Sequence, residues 1–367
     1  MIETREMATV RRVVEGLKQR SEAVVAAMVA DGWSAAMARA GLERHWRRWD
    51  VEVLARQIAV ERKLIEAEGR HFFWPRRVHH IWPALPGASF AEVLVGMLLG
   101  VDQGVKASRR SQATARTLLE ATGVELLDDD RGWSSADLVM VSGSDATLGA
   151  VRQEMVGRGR VVGFGHRVSL AVVDDEGRQL ELGSVAEAIA ADVVMWHQRG
   201  CFSVRAVLFC GGEGRRRVFG RKLATAIAKR EKAWGIDGVT KGELAARAQS
   251  IGVAQLTGPI FVDGLGYVRI RRGPFRGDQE AVHAVTVHAL DGPQGVERAI
   301  DVPAVQLQGA SLSCGAEPER REAWERALGQ TGFTRICKAG LLQSPPASWW
   351  HDGRPLTLDW GRATTLG

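Results

Sequence analysis

Cysteine is scarce in this sequence. Four occur in 367 residues, at Cys201, Cys210, Cys314 and Cys337, and no two form a CxxC pair. That spacing argues against a cysteine-built zinc site or a dithiol redox pair, and so few thiols fit a reducing cytosol. Long apolar runs are also missing. The longest, VLVGMLLGV at 93–101, is far short of the ~20 residues that cross a bilayer. The opening segment MIETREMATVRRVVEGLKQR is charged and has no apolar signal core. The expectation is a cytoplasmic protein with no membrane span. No internal repeat or low-complexity tract interrupts the chain. Neither His79–His80 nor the pair His283 and His288 has the helix-borne spacing of a metal site, so no metal is expected.

What is present is the composition of an ordinary globular chain, 45% hydrophobic and 25% charged, of a length that suggests two domains. The formal charge is +6. Arginines cluster at 44, 47 and 48, at 76 and 77, at 109 and 110, at 215–217 and at 269, 271 and 272. Such a surface favours anionic partners: nucleic acid, an acidic carrier protein, or nucleotide phosphates. No nucleic-acid recognition motif accompanies the clusters, so no nucleic-acid partner is expected.

Apolar periodicity predicts helices over residues 1–70, with Gly69 as a stop. The cluster RHWRRW at 44–49 reads as a solvated helix face carrying two core tryptophans. Beyond it, helix and strand alternate, the pattern of a parallel sheet with covering helices. A strand enters the loop WPALPG. A helix follows from Ser89, capped with Glu92 three residues on, and then a short strand ending at 106–108. Residues 136–155 read as strand, glycine turn and helix, and 159–175 as strand. In the second half, a helix at 184–198 has Ser184 and Glu187 as a capping box, and the strand VRAVLFC follows. Helices are expected at 218–234, 241–250 and 318–332, and strands at 259–272, 281–290 and 301–308. The segment GGEGRRRVFGRK at 211–222 reads as a mobile loop, and the Pro/Trp-rich tail as a strap over another part of the protein.

Three places carry candidate chemistry. At Gly143 and Ser144 a strand gives way to a helix, where glycine admits an anion and the helix start attracts it. At Lys106, Ser108 and Arg109, a strand end offers donors to ribose hydroxyls or a phosphate; an arginine there favours a 2′-phosphate and hence NADPH. Cys201 lies between a helix and a strand, where a loop exposes a thiol. His166, His197, Arg167 and Arg199 are the charges available to favour its thiolate. A lone cysteine in an apolar setting is usually inert, and Cys210 fits that description better.

Taken in order, HIWPALPG (80–87), GVKAS (104–108), GSDATLGAVR (143–152), GFGHRVSLAVV (163–173), ADVVMWHQRGCFS (191–203), GFTRICKAG (332–340) and WWHDGRPL (349–356) resemble one family. It is the LuxC-type acyl-CoA reductases, a divergent branch of the aldehyde dehydrogenase superfamily. The resemblance implies an α/β, aldehyde-dehydrogenase-like fold: a Rossmann-like NADPH domain with the N-terminal helices over 1–168, an α/β catalytic domain over 169–344, and a packing tail over 345–367. It implies Cys201 as nucleophile with His166 as a further catalytic candidate, Gly143 and Ser144 toward the pyrophosphate, and Lys106, Ser108 and Arg109 toward the ribose side. The implied substrate is an acyl-CoA or acyl-carrier-protein thioester, and the implied assembly a homo-dimer or tetramer. Aldehyde-oxidising relatives carry a water-activating glutamate upstream of the cysteine. The comparable segment here, FGHRVS, has no carboxylate, which implies slow acid release. The superfamily's oxyanion-hole asparagine is replaced near Ala84. That departure motivates one other reading, an impaired relative acting as a partner subunit; a dehydrogenase running in the oxidative direction is a second, separate alternative.

Overall fold

The structure is a computed structural model, and it describes residues 4–66, 70–127, 132–177, 180–278 and 280–365. The Gly69 stop lies outside these. The chain divides into two compact units, one of Met1–His166 with Ser344–Gly367, the other of Arg167–Gln343.

The first unit opens with helices α1 (Arg5–Gln19), α2 (Ser21–Ala30), α3 (Ala35–Arg48) and α4 (Val51–Glu66). In α1 the buried Met7, Val10, Val14 and Leu17 form one face, and Thr4 Oγ1 accepts the Met7 N–H at 3.2 Å as cap. Of the Trp/Arg cluster, Trp49 is fully buried, stacked on His45 and edge-on to Phe90. Trp46 is half-buried, so only one tryptophan is core. Arg48 is not solvated. Its guanidinium lies inside, donating to the carbonyls of Pro346, Ala347 and Trp349.

Strand β1 (Arg70–Phe73) precedes β2 (Arg77–Ile81), α5 (Phe90–Leu99), β3 (Asp102–Lys106), α6 (Gln112–Glu120), β4 (Glu125–Leu126), β5 (Leu138–Ser142), α7 (Asp145–Glu154) and β6 (Arg160–Phe164). The sheet order is β4-β3-β2-β5-β6, with every pairing parallel. The chain builds outward from β2 in one direction and then in the other. The carboxyl ends of β2 and β5 therefore form a topological switch point, where doubly wound folds hold ligands. The buried pair on β2 is structural. His79 lies 3.0 Å from the Trp133 carbonyl and His80 2.9 Å from Gln103, and burial drops His80 to about 4.

In the second unit, β7 (Val168–Asp174), α8 (Leu182–Val194), β8 (Val204–Cys210), α9 (Glu213–Trp234), α10 (Lys241–Thr257), β9 (Ile260–Val262), β10 (Tyr267–Arg271), β11 (Ala284–Leu290), α11 (Val296–Ala299), β12 (Leu307–Ser313), α12 (Pro318–Thr331) and β13 (Arg335–Cys337) follow in turn. The order is β13-β12-β7-β8-β11-β10-β9, parallel except for the β9 edge. Strands β7 and β8 are buried on both faces, which explains their unbroken apolar run. One face packs Leu170, Val172, Ala206 and Leu208 against Trp324 and Leu328 of α12. Each large side chain so buried contributes about 1.5–3 kcal/mol. The chain then returns to the first unit, where β14 (Arg362–Thr365) pairs antiparallel with β1. The fully buried Glu61 carboxylate accepts the N–H groups of Leu356 and Thr357, both at 2.7 Å.

Four local expectations are corrected. Ser89 does not cap α5: its hydroxyl meets Ser142, and Glu92 turns inward instead. Helix α8 starts two residues before Ser184, because the Glu181 carboxylate accepts the Gly183 and Ser184 N–H groups, while Glu187 pairs with Lys229. Most of the supposed loop 211–222 is the first turns of α9. Glu213 pairs with Arg217 one turn on, Arg215 with Asp175, and Gly220 leaves space for Phe261, which a Cβ would meet at 2.9 Å. The strand expected at 301–308 begins only at Leu307, after a 3-10 turn.

Candidate active site

Cys201 sits half-buried in the connection from α8 to β8. The connection is tightly held. The Ser169 hydroxyl donates to the Cys201 carbonyl at 2.7 Å and accepts the Gly309 N–H at 3.1 Å, pinning the loop to β7 and β12. The Ser203 N–H donates to the Gly200 carbonyl at 3.0 Å. Arg199 forks onto Glu243 at 2.8 and 2.9 Å, so its charge is already spent on a carboxylate. Burial lowers His197 to about 4, leaving it neutral at pH 7.

The cation the sequence reading missed is Arg205. It is buried, 8% exposed, at the second position of β8. Its Nη1 has no hydrogen-bond partner among the described residues. Burial lowers this guanidinium to about 10, and the charge of Cys201 opposes the drop. The attraction is mutual, so Arg205 favours the thiolate. An arginine inside the apolar run VRAVLFC was the available signal, since a buried guanidinium needs an anion.

The other cysteine of this strand differs. Cys210 is 1% exposed, and burial pushes it up to about 12. Its sulfur with Asp174 and Glu176 forms a cluster whose ligand atoms lie within 4.8 Å. Arg320 already pairs with both carboxylates of that cluster, donating to Asp174 at 2.7 Å and to Glu176 at 3.0 Å.

In the first unit, the remaining candidates fall along the carboxyl edge of one sheet. Lys106 ends β3 half-buried, and Ser108 and the exposed Arg109 follow. Arg109 makes no ion pair among the described residues. Gly143 and Ser144 follow β5, but both are partly committed. The Gly143 N–H donates to the Phe164 carbonyl at 3.1 Å, and the Ser144 hydroxyl caps α7 by accepting the Thr147 N–H at 3.2 Å. Gly143 has no positive φ, and a Cβ there would reach Thr147 only at 3.4 Å. His166, exposed after β6, donates its backbone N–H to Asp145 at 3.0 Å. It belongs to the first unit and Cys201 to the second.

The tail motif WWHDGRPL builds a buried charge cluster in the first unit. His351 stacks on Phe164 with centroids 3.8 Å apart, and its Nδ1 lies 3.3 Å from Glu92 Oε1. Arg48 Nη2 reaches the same oxygen at 3.4 Å. Burial raises the Glu92 carboxyl, but the His351 bond and the Arg48 charge outweigh it and hold the group at about 2.

An open parallel sheet with a switch point and a second α/β unit presenting a cysteine make up an aldehyde-dehydrogenase-like fold, which solved structures share. A chain described as an aldehyde dehydrogenase from Anabaena variabilis is similar with a TM-score of 0.70 and 15% identity, over 98% of this chain and 87% of that one. An NAD-dependent benzaldehyde dehydrogenase from Corynebacterium glutamicum gives 0.66 and 14%, over 98% and 84%. A betaine aldehyde dehydrogenase from Staphylococcus aureus, solved with NAD+, gives 0.68 and 12%, over 98% and 81%. No curated protein sequence matches. The family description "Acyl-CoA reductase (LuxC)" matches residues 129–357, and the chain belongs to that family. Among the described residues, no helix is long and apolar enough to cross a membrane.

Proposed function

We propose that the protein reduces an acyl thioester, on CoA or on a carrier protein, to an aldehyde through an acyl-enzyme on Cys201, with NADPH as reductant. The observation that carries this reading is a half-exposed Cys201 whose charge acts on the buried Arg205, in a LuxC-family chain. The thiolate attacks the thioester carbonyl and the CoA or carrier thiolate leaves. Backbone N–H groups around Cys201 are the donors for the oxyanion, since Ala84 offers no side-chain donor. NADPH supplies the hydride that reduces the acyl group. When the carbon–sulfur bond of the reduced adduct breaks, the carbonyl of the aldehyde forms and Cys201 regains its electron pair as thiolate.

The β3 end fits a nucleotide. Lys106 and Ser108 would hold the ribose, and Arg109 a 2′-phosphate. With the Gly143 N–H already donated, Gly143 and Ser144 would serve the pyrophosphate through the first turn of α7. The segment FGHRVS offers no carboxylate to activate water, and its imidazole, His166, would be the group there suited to proton transfer.

The test is NADPH oxidation with a panel of acyl-CoA and acyl-carrier thioesters, wild type against Cys201→Ala. Turnover in wild type alone supports the reading. Turnover retained by the variant, or absent on every thioester although NADPH binds, overturns it, the latter in favour of a partner subunit.

A further inference from the structure

We propose that Glu231, His283 and His197 form a buried hydrogen-bond chain whose task is to position Cys201; the proposal rests on Cys201 being the nucleophile. The starting observation is backbone strain. Trp196, His197 and Gln198 have φ values of 55°, 51° and 61°, three successive left-handed residues, none of them glycine. A side chain disfavours this conformation at each position, and such strain persists only where surroundings over-determine it. All three are buried. This turn ends α8 and delivers the chain to Gly200 and Cys201.

Two side chains within the turn hold it. Gln198 Nε2 donates to the carbonyls of Val204 at 2.7 Å and Ala284 at 2.9 Å. His197 Nε2 lies 2.7 Å from the Asp237 carbonyl, and its Nδ1 lies 3.3 Å from His283 Nε2. His283 Nδ1 is 2.6 Å from Glu231 Oε1, and Glu231 Oε2 accepts the Leu265 N–H at 2.7 Å. The three side chains are 1%, 0% and 5% exposed in the order His197, His283, Glu231. Glycines make room for the chain. A Cβ on Gly264 would stand 2.5 Å from Glu231 Oε2, and one on Gly266 2.8 Å from the His283 carbonyl.

The proton count is determined from one end. The Asp237 carbonyl only accepts, so His197 Nε2 carries hydrogen. A neutral His197 then accepts at Nδ1, so His283 donates from Nε2. One further proton lies between His283 Nδ1 and Glu231, and every link is complementary. The chain thus ties α9, which carries Glu231, to a turn four residues before the sulfur.

This count separates two substitutions. In Glu231→Gln the amide nitrogen donates to His283 Nδ1 and the oxygen accepts from Leu265, so each link survives. Glu231→Met leaves His283 Nδ1 and the Leu265 N–H without partners. His197→Leu cuts the chain at its other end and is the second variant should Glu231→Met not fold. The primary readout is the rate of iodoacetamide alkylation at Cys201, followed by peptide mass spectrometry on the full chain; thioester turnover and KM for NADPH accompany it. Expected is a loss of about tenfold or more in alkylation and kcat for Glu231→Met and His197→Leu, with KM for NADPH unchanged and Glu231→Gln within about threefold of wild type. Folded Met or Leu variants alkylated at the wild-type rate overturn the proposal, as does a Gln variant as slow as Met. Failure of the parent reading looks different: Cys201→Ala would retain turnover, whatever the alkylation series gives.

Discussion

Replacing Glu92 by glutamine tests the electrostatics of the first unit. The Glu92 carboxyl is held at about 2 against an ordinary 4.5. At about 1.4 kcal/mol per pKa unit, that difference corresponds to about 3 kcal/mol of folding stability at pH 7. Glutamine keeps the shape and can still accept from His351 or Arg48, so the expected loss is about 2–3 kcal/mol. Arg48 remains satisfied by three carbonyls, which keeps the loss below that of a fully orphaned buried cation. The sign follows from the depressed folded-state value. The contribution is complete above 4.5 and is lost as pH falls toward 2. By pH 3.5, about 1 kcal/mol of it should be gone. Denaturant titrations of wild type and Glu92→Gln, followed by tryptophan fluorescence at pH 7, 5 and 3.5, measure the gap directly. A variant as stable as wild type at pH 7, or a gap that does not narrow at pH 3.5, refutes the reasoning.

Arg205→Met should slow Cys201 alkylation at pH 7 by about tenfold and move its half-maximal pH upward, with Arg205→Lys between the two; identical pH–rate curves would remove Arg205 from the site. Across the native protein, iodoacetamide at pH 8 should label Cys201 and leave Cys210 unmodified, because a thiol at about 12 is about one ten-thousandth thiolate there; peptide mapping that finds the reverse contradicts both assignments. Asp174→Ala should cost about 2 kcal/mol by denaturant titration, because Trp324 Nε1, bonded to it at 2.8 Å, loses its acceptor and Arg320, bonded to it at 2.7 Å, is left with Glu176 alone.

The sequence made the architecture readable wherever local pattern and tertiary demand agree. The doubly buried β7 and β8 advertise themselves as unbroken apolar runs, and α12 opens at Pro318 and stops at a left-handed Gly332 as its residues require. Legibility failed where a distant partner overrides a local rule. Ser89 and Ser184 carry capping signatures, yet Ser142 and Glu181 redirect the bonds. Arginines 215–217 look like a solvated loop until Asp175 and Glu213 are seen beside them. The same holds at the candidate site. Cys201 and the donors at 106–109 were visible as motifs, whereas Arg205 and the Glu231–His283–His197 chain depend on side chains that meet only after α9, β8 and the residues before β11 have assembled.

The division of the chain has a consequence for its synthesis. The second unit is an insertion, because the first is completed only by residues 344–367. Glu61 and Glu92 wait for Leu356, Thr357 and His351, some 260 to 300 positions later. On the ribosome, the inserted half can therefore condense while the first still holds two buried acids without their final partners. Such long-range closure comes late in folding, and a chaperone acting on this nascent protein would find its last open surface at the oldest end of the chain.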